Sequence, residues 1–196
     1  MNRMQLLRRG AVLGLGFFAL GGCGGTDAVI HDPDVASVEQ GLNVASNGSF
    51  ETNSIGNSNL VVLEAGSTAL PPWIIGGAGI KVMKSPYTTP VHGLQTIDLN
   101  GEDGAGSIVQ YVPTVVGTFY SLSFSFSHGP GCVGLSRSIN VLYDTSTASA
   151  SSMGSSWNSR TYSFKATTTA TLIKLTSTSS GGGCVAAIDN LTVYGP

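Results

Sequence analysis

At 196 residues, with nine Lys and Arg against eleven Asp and Glu and only 10% charged residues, the chain is long enough for one domain and poor in charge. Beyond the N-terminus its basic residues (Lys81, Lys84, Arg137, Arg160, Lys165 and Lys174) are scattered. Phosphate neutralisation needs grouped Lys and Arg, so nucleic acid is excluded as a partner. The 27 glycines and the abundance of Ser and Thr fit a turn-rich extracytoplasmic β protein and argue against a helical bundle.

Residues 1–22 read as a targeting segment, with Arg3, Arg8 and Arg9 as a basic region and residues 11–20 as an apolar run. The 13 residues from 10 to 22 fall short of the roughly 20 apolar residues a membrane-spanning helix needs, so secretion is the expectation. Leu20-Gly21-Gly22-Cys23 resembles a bacterial lipobox, which implies cleavage before Cys23 and lipidation (palmitate included) of its thiol and amine. The alternative is ordinary secretory cleavage with Cys23 free. Gly24 after the cysteine, rather than Asp, favours the outer membrane by resemblance to Gram-negative sorting. Without residues 1–22 the chain keeps six basic and eleven acidic residues, a net charge of -5. Residues 23–42 show no apolar period, carry Asp27, Asp32, Asp34 and Glu39, and read as a tether to the membrane.

From residue 43 to 196 the periodicity is that of strands. The clearest is 118–127, where Tyr120, Leu122, Phe124 and Phe126 alternate with Ser121, Ser123, Ser125 and Ser127. Further runs lie at 59–64, 80–83, 94–99, 107–112, 138–144, 161–166, 171–177 and 185–194. Asn57-Ser58, Pro71-Pro72, Gly76-Gly77, Asn100-Gly101 and other turn signals separate them. About nine strands and no helical period indicate an all-β, antiparallel jelly-roll β-sandwich in one domain, expected to be a monomer. The Ser-rich stretch 145–156 reads as a surface loop. With Cys23 taken by lipid, Cys132 and Cys184 form one even pair in an oxidising compartment, and a disulfide is expected. Zinc is the weaker alternative, since only His128 lies near either thiol.

Three segments frame the module: Asn47-Gly48-Ser49-Phe50-Glu51, then His92-Gly93 running to Ile97-Asp98-Leu99-Asn100-Gly101, then Ile188-Asp189-Asn190-Leu191-Thr192-Val193. With Trp73 and the 117–124 run, the series resembles the domain-of-unknown-function family 642 and its bacterial choice-of-anchor C relatives, over about 150 residues. Its first and last motifs also occur in carbohydrate-binding modules of the galactose-binding-like sandwich. The resemblance implies association with cell-wall polysaccharide or wall-modifying enzymes rather than catalysis. It also implies that the first and last strands meet, with a structural calcium at the junction of Glu51 and Asp189. The alternative for these two is a turn cap at Glu51 and backbone-amide bonds at Asp189. Asp98 to Gly104 looks superficially like a calcium loop, but the twelfth position from Asp98 is Val109, so a turn is the better reading.

Sugar recognition in sandwich modules uses aromatic rings against pyranose faces, with polar side chains on the hydroxyls. The candidate ligand contacts are Trp157, Tyr87, Tyr111 and Trp73, with Gln110 and Arg160 as hydrogen-bond suppliers. Trp73 also reads as a core residue. No carboxylate pair stands out for glycoside hydrolysis, and Gly134-Leu135-Ser136-Arg137-Ser138 lacks the last glycine of a nucleophile elbow, so no enzyme is expected. The expectation is a lipid-anchored envelope module that binds glycan; the rival is a structural or adhesion module that contacts protein.

Overall fold

The computed structural model of the chain describes residues 41–129, 132, 135–179 and 184–196. The expected targeting segment, the lipidation site Cys23 and nearly all of the expected tether lie outside these residues. Twelve strands are described: β1 (Leu42–Asn43), β2 (Leu60–Leu63), β3 (Ile74–Gly77), β4 (Ile80–Met83), β5 (Thr96–Asp98), β6 (Gly106–Pro113), β7 (Phe119–Ser127), β8 (Arg137–Tyr143), β9 (Ser146–Ser152), β10 (Asn158–Lys165), β11 (Ala170–Ser177) and β12 (Ala187–Gly195). They form two antiparallel sheets. One runs β10-β7-β12-β5-β4-β2 with β1 also on β12; the other runs β3-β6-β11-β8-β9. This is the expected all-β sandwich.

Alternation drives the packing. Along β7, Tyr120, Leu122, Phe124 and Phe126 are buried while Ser121, Ser123 and Ser125 are half-buried on the outward side. From the facing sheet, Ile108, Val112, Ile139, Val141, Ile173 and Leu175 complete one continuous core. Tyr120, Phe164, Tyr143, Tyr162 and Phe124 form a chain of ring contacts with centroids 5.3 to 6.1 Å apart near the β9–β10 margin. There Arg160 Nη2 donates to the Ser151 carbonyl at 2.7 Å, linking the two sheets.

The expectation of a loop at 145–156 is corrected: residues 146–152 are β9, paired with β8 from Tyr143↔Ser146 to Arg137↔Ser152. Asp144, at φ 54, makes the tight turn, since Asp tolerates the left-handed region better than most residues. Inward positions of β9 are Ala148, Ala150 and Ser152, small enough to pack without showing a hydrophobic period. β1 and β3 were also beyond the expected runs. β1 starts at Leu42, within the expected tether, and meets β12 as Leu42↔Gly195 and Asn43↔Tyr194, so the first and last strands do meet.

β12 carries a register shift between Asp189 and Thr192, and Asn190 there has φ 51. The bulge lets both Ile188 and Leu191 point inward. The Asn47-Gly48 turn receives it: Leu191 N donates to the Gly48 carbonyl at 2.8 Å. A Cβ on residue 48 would stand only 1.8 Å from the Leu191 carbonyl oxygen, so the close approach demands glycine. Cys132 and Cys184 form the expected disulfide across 52 positions, joining the segment after β7 to the segment before β12. The sandwich thus has a far end, at the disulfide, and an entry end, where β1 begins and β12 finishes.

Candidate functional site

The outward columns of β10, β7 and β12 lie side by side. Ser159 faces Ser125, Thr161 faces Ser123, Ser163 faces Ser121 and Lys165 faces Phe119, while Thr192 and Tyr194 of β12 face Ser123 and Ser121. Between the two ends of this face the outward groups of β10 and β7 are Ser and Thr hydroxyls, with Ser123 Oγ and Thr161 Oγ1 2.9 Å apart, while on β12 Asp189 lies opposite Ser125. This hydroxyl floor offers donors and acceptors without charge. Aromatic residues frame it: Phe119 and Tyr194 at the entry end, and Trp157, immediately before β10, at the far end.

At the far end the loop between β4 and β5 comes against Trp157, whose Nε1 donates to the Thr89 carbonyl at 2.9 Å. Tyr87, two residues earlier, is 52% exposed. The loop is held firmly from below. Asp189 Oδ2 accepts from Val91 N at 2.6 Å and His92 N at 3.0 Å, while its Oδ1 accepts from Asn190 N. Glu51 Oε1 accepts from Leu94 N at 2.8 Å and Gln95 N at 2.6 Å. Gln95 is buried; its Nε2 donates to the Phe50 carbonyl and its Oε1 accepts from Ile55 N. Gly93, at φ 74, passes so near Glu51 that an added Cβ would meet the carboxyl carbon at 2.6 Å. The three framing motifs are therefore one device: the first and last supply carboxylates that grip the amides of the middle one, and the gripped loop brings the Thr89 carbonyl to Trp157.

The same geometry tests the expected calcium. Calcium draws six to eight oxygens inward, but here backbone N–H groups point at both carboxylates. Asp189 is wholly buried, and burial raises its carboxyl above the ordinary range even though the amides of His92, Asn190 and Val91 pull it down. Among the described residues no three His, Cys, Asp or Glu gather as a metal site. The donor set fits amides, not a shared cation.

The remaining candidates separate. Trp73 is corrected from ligand contact to core: it is 3% exposed, packs on Phe50 with ring centroids 5.8 Å apart, and donates from Nε1 to the Asn47 carbonyl. A sugar has no ring face to stack on. Gln110 is likewise buried, exchanging two hydrogen bonds with the Ser46 backbone, and Arg160 is engaged with Ser151. Tyr111 is 60% exposed but lies on the outward side of the other sheet, opposite Leu172. A row across that face reads Ile74, Val109, Lys174, Leu142 and Thr147, more apolar than the Ser and Thr floor.

Asp98 is not a surface turn residue. It is 1% exposed in β5, and its Oδ1 accepts from Asn100 N and Ala186 N. Lys81 Nζ lies 3.9 Å from Oδ2 and donates to the Gly101 carbonyl. Burial pushes its pKa up to about 6, against the lowering effects of those amides, Lys81 and Arg137. Asn100 extends the network to Ser177 and the Cys184 carbonyl. This cluster holds the far end together.

Residues 43–194 match the model of the family described as "Protein of unknown function (DUF642)". The chain belongs to the DUF642 family. No curated protein matches it. Among solved structures it is similar to the module TmCBM61 in complex with β-1,4-galactotriose, at 17% identity and TM-score 0.52, over 79% of this chain and 99% of that one. It is also similar to the CBM22-1 xylan-binding domain from Paenibacillus barcinonensis Xyn10C, at 13% identity and TM-score 0.50, over 79% and 95%. An arabinose-bound α-L-arabinofuranosidase, MgGH51, matches at 14% identity and TM-score 0.52, over 79% of this chain and 26% of that one. At these identities the likeness is one of fold. Within the DUF642 span, sequence reasoning placed Trp157 and Tyr87 as candidates but missed Thr89, Gln95 and the hydroxyl floor. The Ser column of β7 signalled that floor; its β10 partners emerge only from the register.

Proposed function

We propose that this chain is a non-catalytic, lipid-anchored envelope protein that binds a neutral glycan through the corner formed by Trp157, Tyr87 and the adjoining Ser and Thr floor. The observation that carries this reading is the Trp157–Thr89 contact, which brings the loop that bears the exposed Tyr87, two residues from Thr89, against Trp157 at the head of a row of hydroxyls. Rings stack on the apolar faces of pyranoses, and Ser and Thr hydroxyls exchange hydrogen bonds with sugar hydroxyls. The exposed Ser and Thr hydroxyls of β7 and β10 carry no charge, which favours a neutral polysaccharide over an acidic one. The carbohydrate-binding modules of like fold support the reading at the level of architecture. The proposed anchoring is supported by the basic region, the apolar run and Leu20-Gly21-Gly22-Cys23, and Gly24 favours the bacterial outer membrane or cell surface as its location.

The test is a glycan array followed by calorimetry on the full chain with Cys23→Ser. Trp157→Ala and Tyr87→Ala are each expected to weaken binding about tenfold, equivalent to roughly 1.4 kcal/mol, without changing the fold. Tyr111→Ala should leave it unchanged. One observation favours a second reading, contact with a protein partner: Tyr111, Leu172, Val109 and Ile74 make the outward side of the other sheet a mildly apolar face. In that case Tyr111→Ala is the damaging change and no glycan binds.

A further inference from the structure

We propose that the entry end of the sandwich rests on a lipid surface, so that the anchored protein stands on the membrane with its Trp157 corner turned away. The inference rests on the lipid anchoring proposed above. Exposed large apolar side chains gather at this end: Leu42 is 67% exposed, Val115 65%, Val116 57%, Phe119 69% and Tyr194 47%. They come from the start of β1, the turn between β6 and β7, and the end of β12. Between Phe119 and Tyr194 runs a groove of about 400 Å³ that Gly41, the first described residue, helps to line. Apolar clusters of this kind mark contact surfaces, and aromatic rings with a lysine beside them suit the level of lipid headgroups.

Charge divides the two ends less than apolar surface does. Lys165 stands at the entry end, its Nζ 5.7 Å from the centre of the Phe119 ring, with Asp144, bonded by the N–H and hydroxyl of Thr167, as its counter-charge. Exposed Glu102 and Asp103 lie at the far end, beyond β5. An anionic bilayer therefore disfavours the far end, and the docking of the entry end rests on its apolar side chains. A second copy docked symmetrically on the same patch would instead set Lys165 against Lys165. Chain length adds to the effect: Cys23 and Gly41 are 18 positions apart, so the chain between them reaches at most about 60 Å. A surface held that close has an effective concentration on the order of millimolar, enough for a weak patch to dock.

The experiment places an environment-sensitive fluorophore on Phe119→Cys, on Val116→Cys and, as the distant control, on Asp103→Cys, with Cys132 and Cys184 paired. Each protein is attached to phosphatidylethanolamine–phosphatidylglycerol vesicles twice: through its own acylated Cys23, and through an N-terminal polyhistidine tag replacing residues 1–23 on nickel-chelating lipid. Emission at positions 119 and 116 is expected to shift to the blue and to be quenched by nitroxide lipid, with no change at 103. Absence of the shift at both entry-end positions, or an equal shift at 103, overturns the proposal. An unmodified Cys23 mass in membrane fractions would contradict the lipid anchor instead, and the nickel-tethered arm still decides the docking.

Discussion

Asp98 shows how burial turns an ordinary residue into a titrating one. Its carboxyl has a pKa of about 6 in the folded chain, against 3.8 for the ordinary residue. Between those values the native state holds a proton that the unfolded state has released, so stability falls as pH rises. The contribution is complete below about pH 4 and lost as pH passes 6, amounting to about 3 kcal/mol. Denaturant unfolding from pH 4 to 7 should show this decline, and Asp98→Asn should flatten it; a variant curve parallel to wild type contradicts the assignment. Asp189 is the complementary case, a buried carboxylate occupied by amides. Chelator or added calcium should leave the melting temperature unchanged. Asp189→Ala should cost about 1 to 3 kcal/mol, because it leaves the N–H groups of Val91 and His92 without their acceptor. The motif residues were plain in the sequence, but their partners were not: Asp189 and Val91 are 98 positions apart.

Among the elements, strands with a strong period were legible and strands without one were not. β7 announces itself through four buried large residues in alternation, and β4 was located to the residue. β9 hides because its inward side is Ala and Ser, so its pairing with β8 supplies what its own sequence lacks. β3 hides because Trp73 and two glycines flank only two isoleucines. The disulfide was legible from cysteine parity, and it fastens the far end where β7 and β12 part. Replacing both Cys132 and Cys184 with Ser should lower stability by on the order of 4 kcal/mol in the chain-entropy account. The matching observation is a fall in melting temperature on reduction of the wild-type protein; an unchanged midpoint would deny the bridge a structural role.

At the scale of the whole molecule, the sandwich sets its distinctive surface features at opposite ends. The chain enters at one end among exposed apolar residues, the framing motifs clamp a loop across the outward face of one sheet, and the aromatic corner sits at the opposite end. Fold class followed from period and turn chemistry. The site did not, because it depends on which outward columns fall side by side and on a loop delivered to Trp157 from 68 positions away. The proposed glycan binding stands or falls on that corner. Calorimetric titration of the Cys23→Ser chain with the neutral polysaccharide selected on an array should show saturable binding that Trp157→Ala weakens about tenfold and Tyr111→Ala leaves intact. Failure to bind any polysaccharide, or binding that survives Trp157→Ala and Tyr87→Ala together, would contradict it.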